Sequence, residues 1–108
     1  MGALPTPKSS PLAKEAQIIK GKIDALIFKM QKDEHYNPTR EELEKYANTI
    51  IHYINHNHDK IAPHESYLKA AVIDLTEAPE MAPQMQRIAF LTALKDASHE
   101  VELFLSCL

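Results

Sequence analysis

The sequence predicts an all-α fold: an up-down-up-down four-helix bundle preceded by a flexible N-terminal tail. The prediction depends on two long apolar stripes, one near each end of the 108 residues. In both stripes the apolar residues recur at alternating steps of three and four, which aligns their side chains along one face of an α-helix. The stripes are Leu12, Ala16, Ile19, Ile23, Leu26 and Met30, and then Phe90, Leu94, Ala97, Val101, Phe104 and Leu108. No stretch alternates polar and apolar residues as a half-buried strand would.

The first stripe belongs to a helix that we predict over residues 11–32. Ser10 can cap its start, and Pro11 suits the first helical position because that residue needs no N–H partner. Residues 1–9 contain Pro5 and Pro7 and little to bury, so we expect a flexible tail there. Residues 10–108 then form a single helical-bundle domain, which is a normal size for one domain.

The second and third helices are predicted over residues 40–57 and 63–77. Thr39 and Glu42 form a capping box, which is the clearest helix start in the chain. The second helix has an apolar face of Leu43, Tyr46, Ala47, Ile50 and Ile54, and the third of Leu68, Ala71, Val72 and Leu75. A break at Ala78-Pro79 ends the third helix, because the residue before proline avoids the helical conformation. The last helix begins near Glu80 or Pro83 and ends at about Cys107, and the short connections favour antiparallel neighbours.

Charge and composition exclude some classes of function. The net charge is −3 with histidine neutral, whereas a nucleic-acid binder is expected to carry a strongly basic patch. No apolar run of about 18 residues is present to span a membrane. Cys107 is the only cysteine, which fits a reducing compartment, and we expect the protein to be cytoplasmic.

Catalytic motifs are missing from the sequence. It contains no GxSxG elbow, glycine-rich phosphate loop or paired-carboxylate signature. Ser98 and His99 are adjacent, and neighbouring helical residues diverge by about 100° and do not face each other. We therefore expect no enzyme, no cofactor and no small-molecule substrate.

Two histidines indicate an alternative function, a metal- or pH-responsive bundle. His52 and His56 are four residues apart, so they share one face of the second helix and could present two imidazoles to a metal ion. Asp59 is the nearest carboxylate along the chain. Histidine also titrates near physiological pH, as a sensor requires. The competing interpretation is a polar, solvated helix face.

A second alternative comes from a short stretch at residues 66–71. Ser66-Tyr67-Leu68-Lys69-Ala70-Ala71 resembles the motif of histidine phosphotransfer domains, which are four-helix bundles of about this length. The family's histidine is followed by leucine two positions later and lysine three positions later, then by glycine and a small residue. Here Ser66 stands at the histidine position and Ala70 at the glycine position. The resemblance implies a catalytically inactive relative.

Surplus apolar residues point to the leading hypothesis, a protein–protein interaction module such as an adaptor, chaperone or regulatory subunit. Ile18, Gly21, Ala25 and Phe28 lie away from the first stripe at helical spacing, and small residues between large ones make a shallow groove for another helix. Leu91 and Leu103 lie off the second stripe. Such apolar patches mark interaction sites, although a bundle helix can also bury a wide stripe. The partner is another protein or a second copy.

The first helix is also rich in lysine. It carries Lys14, Lys20, Lys22, Lys29 and Lys32 against only Glu15 and Asp24. A basic amphipathic helix can lie on an anionic membrane or meet an acidic partner. Membrane association through this helix is therefore a third hypothesis, weighed against a simple solvated face.

Overall fold

A computed structural model describes residues 10–108, and the helical segments there confirm the all-α prediction. The elements are α1 (Pro11–Lys32), α2 (Arg40–His56), α3 (His58–Ile61), a 3₁₀ turn (Ala62–His64), α4 (Glu65–Thr76) and α5 (Pro83–Ser106). No strand occurs between residues 10 and 108. The predicted tail, residues 1–9, lies outside the described residues.

The four long helices, α1, α2, α4 and α5, form the bundle. α5 packs against both α1 and α4, and α4 packs against α2, but α1 lies less closely against α2. α1 and α5 run antiparallel, because Lys20 in the first half of α1 pairs with Glu102 near the end of α5. At the other end of this pair, the Arg87 guanidinium donates to the Met30 carbonyl. Since α5 packs against both α1 and α4 while α1 and α4 scarcely contact each other, these two helices occupy opposite corners of the bundle.

Local chemistry explains where the helices begin and end. The Ser10 hydroxyl accepts a hydrogen bond from the Ala13 backbone N–H at 3.1 Å, as its predicted capping role requires. The capping box of Thr39 and Glu42 is present in full. Arg40, in the first turn of α2, donates to the backbone carbonyls of Thr76 and Ala78 and so ties α2 to the end of α4. These bonds satisfy groups that helix ends would otherwise leave unpaired.

The core confirms most of the predicted apolar faces. Both long stripes are buried, except that Leu12 and Leu108 at their outer ends are only partly buried. Tyr46 and Val72 are also partly buried, whereas Tyr53, which the predicted face of α2 does not include, is buried. The remaining members of the predicted α2 and α4 faces lie in the core.

The connection between α2 and α4 differs from the predicted turn. The sequence places residues 58–62 between two helices, but the chain forms α3 and the 3₁₀ turn there, and α4 begins at Glu65 rather than at Pro63. Ile61 explains the difference because its side chain is fully buried. The backbone N–H groups of Lys60 and Ile61 both donate to the Asn57 carbonyl, which closes a helical turn as Ile61 enters the core.

Candidate functional site

The outward surface of α1 carries four of the residues that the sequence selects for partner binding. We call Ile18, Gly21, Ala25 and Phe28 the α1 face. All four are exposed, with Ile18 at 59% and Phe28 at 62% of full exposure. Apart from its chain neighbours and the nearby backbone of α1, no atom of residues 10–108 lies within 4 Å of where a side chain on Gly21 would begin. The other helices of the molecule therefore leave this face open, as docking requires, and binding itself stays a prediction.

Positive charge surrounds the α1 face. Lys14, Lys22, Lys29 and Lys32 are exposed, and none of them forms an ion pair with a described residue. The Lys32 ammonium lies 5.4 Å from the centroid of the Phe28 ring. Lys20 behaves differently, because its ammonium contacts Asp24 at 2.7 Å and Glu102 at 3.4 Å. The α1 face thus combines apolar side chains with uncompensated lysines.

The two secondary residues on α5 are less accessible. Leu91 and Leu103 are both partly buried, and Leu91 packs against the core. Met85 and Ile88 are the large apolar side chains of α5 that stand exposed. Helical spacing predicts the direction of a side chain but not the cover that neighbouring helices provide, so the sequence could not separate these residues by exposure.

A groove of about 360 Å³ separates α1 from α2. It exists because α1 packs on α5 and α2 packs on α4, with less contact between α1 and α2. Residues of its wall are Glu15, Ile18, Ile19 and Lys22 from α1 and Thr49, His52, Tyr53 and His56 from α2. Ile18 and the histidine pair, which the sequence suggests for two separate functions, therefore lie in one groove.

Tyr53 anchors the floor of this groove. Its hydroxyl donates to the Leu12 carbonyl at 2.6 Å, and its ring meets Phe104 edge-on with 6.0 Å between centroids. Burial raises the pKa of Tyr53 well above its usual value, and the nearby Glu15 carboxylate adds to the rise. The hydroxyl thus stays protonated as a donor that joins α2 to α1.

His52 and His56 are exposed on the rim of the groove. Among residues 10–108, no group of three or more His, Cys, Asp or Glu side chains could hold a metal ion, so Asp59 does not complete a ligand set with these two. The histidine pair offers two imidazoles alone, whereas protein zinc sites use three or four ligands. The metal- or pH-responsive function stays a prediction.

The stretch that resembles a phosphotransfer motif lies at the start of α4. Ser66 is exposed in the first turn of that helix, and His64 ends the preceding 3₁₀ turn. Ser66 is therefore at the surface, where the phosphorylated histidine of such a domain has to be. An inactive phosphotransfer-like bundle stays a prediction.

A second groove, between α4 and α5, was missed at the level of sequence. Its volume is about 450 Å³, and its wall includes Ile73, Asp74, Glu77, Ala78, Ala93 and Asp96. We call it the α4/α5 groove. None of its three carboxylates forms an ion pair within residues 10–108. Burial raises the pKa of Asp74, and the carboxylates of Asp96 and Glu100 raise it further.

Comparison with protein-family models, with curated proteins and with solved structures finds no match to this chain. Within the described part of the chain, no helix is sufficiently long and apolar to cross a membrane. Inference about function therefore depends on the surfaces themselves.

Proposed function

We propose that this protein is a non-enzymatic interaction module, acting as an adaptor, chaperone or regulatory subunit, that binds another protein or a second copy of this chain through the α1 face. The observation that carries the proposal is the exposure of Ile18 and Phe28 on a helix whose opposite side already supplies the core. Full burial of such a side chain against a partner contributes about 1.5–3 kcal/mol, so Ile18 and Phe28 can serve as anchors within a larger contact.

The lysines around the α1 face define the chemistry of the partner. Lys14, Lys22, Lys29 and Lys32 lack partners among the described acidic side chains, so an occupant with carboxylates next to apolar residues would satisfy both features. An acidic amphipathic helix has this composition, and it would dock by placing its apolar side on the α1 face. Charge complementarity then sets orientation and speeds association more than it adds affinity.

A cytoplasmic location forms part of the proposal. Cys107, the only cysteine of the chain, is a free thiol, as is usual in a reducing compartment.

Selection from a displayed library of helical peptides tests the proposal. We expect the immobilised protein to enrich peptides with apolar residues at i, i+3 or i+4 and i+7 and with net negative charge. Phe28→Asp should weaken their binding about fivefold or more, because truncating an interface anchor costs more than about 1 kcal/mol. Phe28 is 62% exposed, so this variant should fold, which its helical circular dichroism signal will check.

The matched control is Met85→Asp, at an apolar residue of α5 that is 53% exposed. Binding of the selected peptides should be unchanged in this variant. The proposal fails if no peptide is enriched or if Phe28→Asp binds the peptides as well as the parent protein does. It also fails if Phe28 controls only sedimentation with phosphatidylserine vesicles, because the face would then be a membrane surface.

A further inference from the structure

The α1 face and the α4/α5 groove lie on different sides of the molecule. α1 and α4 are at opposite corners of the bundle, each packed against both α2 and α5. The α1 face is exposed, with Ile18 at its edge toward α2, and the α4/α5 groove opens between α4 and α5. A molecule therefore cannot place its own α1 face in its own groove, whereas a second molecule can.

The shape of the α4/α5 groove suits a large apolar side chain. Small residues, Ala78, Ala89 and Ala93, line it and leave its volume of about 450 Å³ open. Ile73 stands beside them at 51% exposure and adds an apolar edge. The largest apolar side chain that the α1 face exposes is Phe28, which could enter a groove of this kind as an anchor.

The charges of the two surfaces are complementary. Asp74, Glu77 and Asp96 border the groove, and within the described chain no cation pairs with them. Burial raises the pKa of Asp74, and the carboxylates of Asp96 and Glu100 raise it further. Lys29 and Lys32 flank Phe28 and are equally without a carboxylate partner. Each surface thus carries the charge that the other lacks.

We infer that the α4/α5 groove receives the α1 face of a second copy of this chain. Phe28 of one copy enters the groove of the next, and Lys29 and Lys32 face the carboxylates of Asp74 and Asp96. The inference rests on the proposed function, because it names the partner of the α1 face. Since the two surfaces differ, the contact is head-to-tail and builds rings or open chains rather than closed twofold dimers.

The net charge of −3 per chain does not oppose this contact strongly. At physiological ionic strength the screening length is about 8 Å, so charges far from the contact interact weakly across it. The opposite charges that meet at the contact are much closer. The opposite charges at the contact therefore make the electrostatic interaction between the two copies attractive.

Two single variants and their mixture test the inference by light scattering on a sizing column. Phe28→Asp removes the anchor from the α1 face, and Ile73→Gln removes the apolar edge of the groove without adding a charge that the lysines could pair with. We expect the parent protein to form larger species as its concentration rises and each variant alone to stay at the mass of one chain. An equimolar mixture should form a one-to-one dimer and nothing larger, because only the intact groove of Phe28→Asp and the intact face of Ile73→Gln can pair.

Both substituted residues are exposed, and circular dichroism should show unchanged helix content in both variants. Met85→Asp should associate like the parent protein. The inference is overturned if the parent protein stays monomeric at every concentration, if either variant alone still associates, or if the mixture stays monomeric. Selected peptides that need Phe28 while the parent protein stays monomeric would leave the proposed function standing without this inference. If the parent protein neither binds peptides nor self-associates, the proposed function and this inference are both overturned.

Discussion

Phe28 and Phe104 show how the same residue type takes different roles at the scale of single residues. Phe104 is fully buried and contacts the ring of Tyr53, whereas Phe28 is 62% exposed. Removing a buried phenylalanine side chain costs about 3–5 kcal/mol because it leaves a cavity, but exposed positions away from special features change stability by about 0.5 kcal/mol or less. Substitutions at Phe28 can therefore report on binding without loss of the fold.

The hydroxyl of Tyr53 joins α2 to α1, which otherwise pack together less closely than the other neighbouring helices. We expect Tyr53→Phe to lower the free energy of unfolding by about 1 kcal/mol, the usual net value of one buried hydrogen bond. The bond lost is the one from its hydroxyl to the Leu12 carbonyl. Urea denaturation followed by circular dichroism measures this change.

Tyr46→Phe is the control for that experiment, because Tyr46 is only partly buried and its hydroxyl makes no hydrogen bond to a described residue. Its unfolding midpoint should match that of the parent protein. Equal stability of the two variants would show that the bond from Tyr53 does not hold α1 to α2.

At the scale of elements, the seam of α4 and α5 contains a half-buried carboxylate, Asp74, close to two others. Asp74 lies in the last turns of α4, near the negative end of the helix dipole, and faces Asp96 and Glu100 from α5. Burial and these two carboxylates raise its pKa above the ordinary value of 3.8. The folded chain thus binds a proton at Asp74 more readily than the unfolded chain does.

The pH dependence of Asp74→Asn follows from this direction. At pH 7 the Asp74 carboxylate is ionised in both the folded and the unfolded chain, and the negative charge is less favourable in the folded chain. The variant should therefore have a higher free energy of unfolding than the parent protein. The difference should be less than about 1 kcal/mol, because Asp74 is only partly buried. As the pH falls through the raised pKa, Asp74 takes up its proton and the advantage should shrink. Thermal unfolding at pH 7 and pH 4 measures both values.

Asp59→Asn, at an exposed residue of α3 without an ion pair, is the matched control and should show no such gain at pH 7. A constant difference between Asp74→Asn and the parent protein at both pH values would contradict the explanation by ionisation.

At the scale of the whole molecule, charge is distributed unevenly although the total is small. Uncompensated lysines surround the α1 face, and uncompensated carboxylates line the α4/α5 groove. Opposite charges on different sides of one bundle favour contact between unlike surfaces of two copies. Salt should therefore control the size of the assembly.

We expect a rise in sodium chloride from about 0.05 M to about 0.5 M to shift the sedimentation coefficient toward that of the monomer, because the screening length falls well below 10 Å over this range. Circular dichroism in the same buffers controls for unfolding. Association that stays constant or strengthens with salt would show that apolar contact alone holds the copies together.

Local interactions made much of this architecture predictable from sequence. The caps at Ser10 and Thr39 act over three residues, and helical periodicity needs only the order of apolar and polar side chains. The exposure of Ile18 and Phe28 follows from the same periodicity. The buried turn around Ile61 was missed because its reason, a place for that side chain in the core, comes from distant helices.

The sequence by itself determined the four long helices, the caps at Ser10 and Thr39, the buried stripes and the outward position of the α1 face, because each depends on residues within a few turns of one another. The tertiary structure alone decided that α1 packs on α5 more closely than on α2, which opens a groove joining Ile18 to His52 and His56. It also decided that acidic residues of α4 and α5 meet around a row of alanines. The physical reason is that a groove is made by the spacing between helices, and this spacing is set by how all the core side chains pack together.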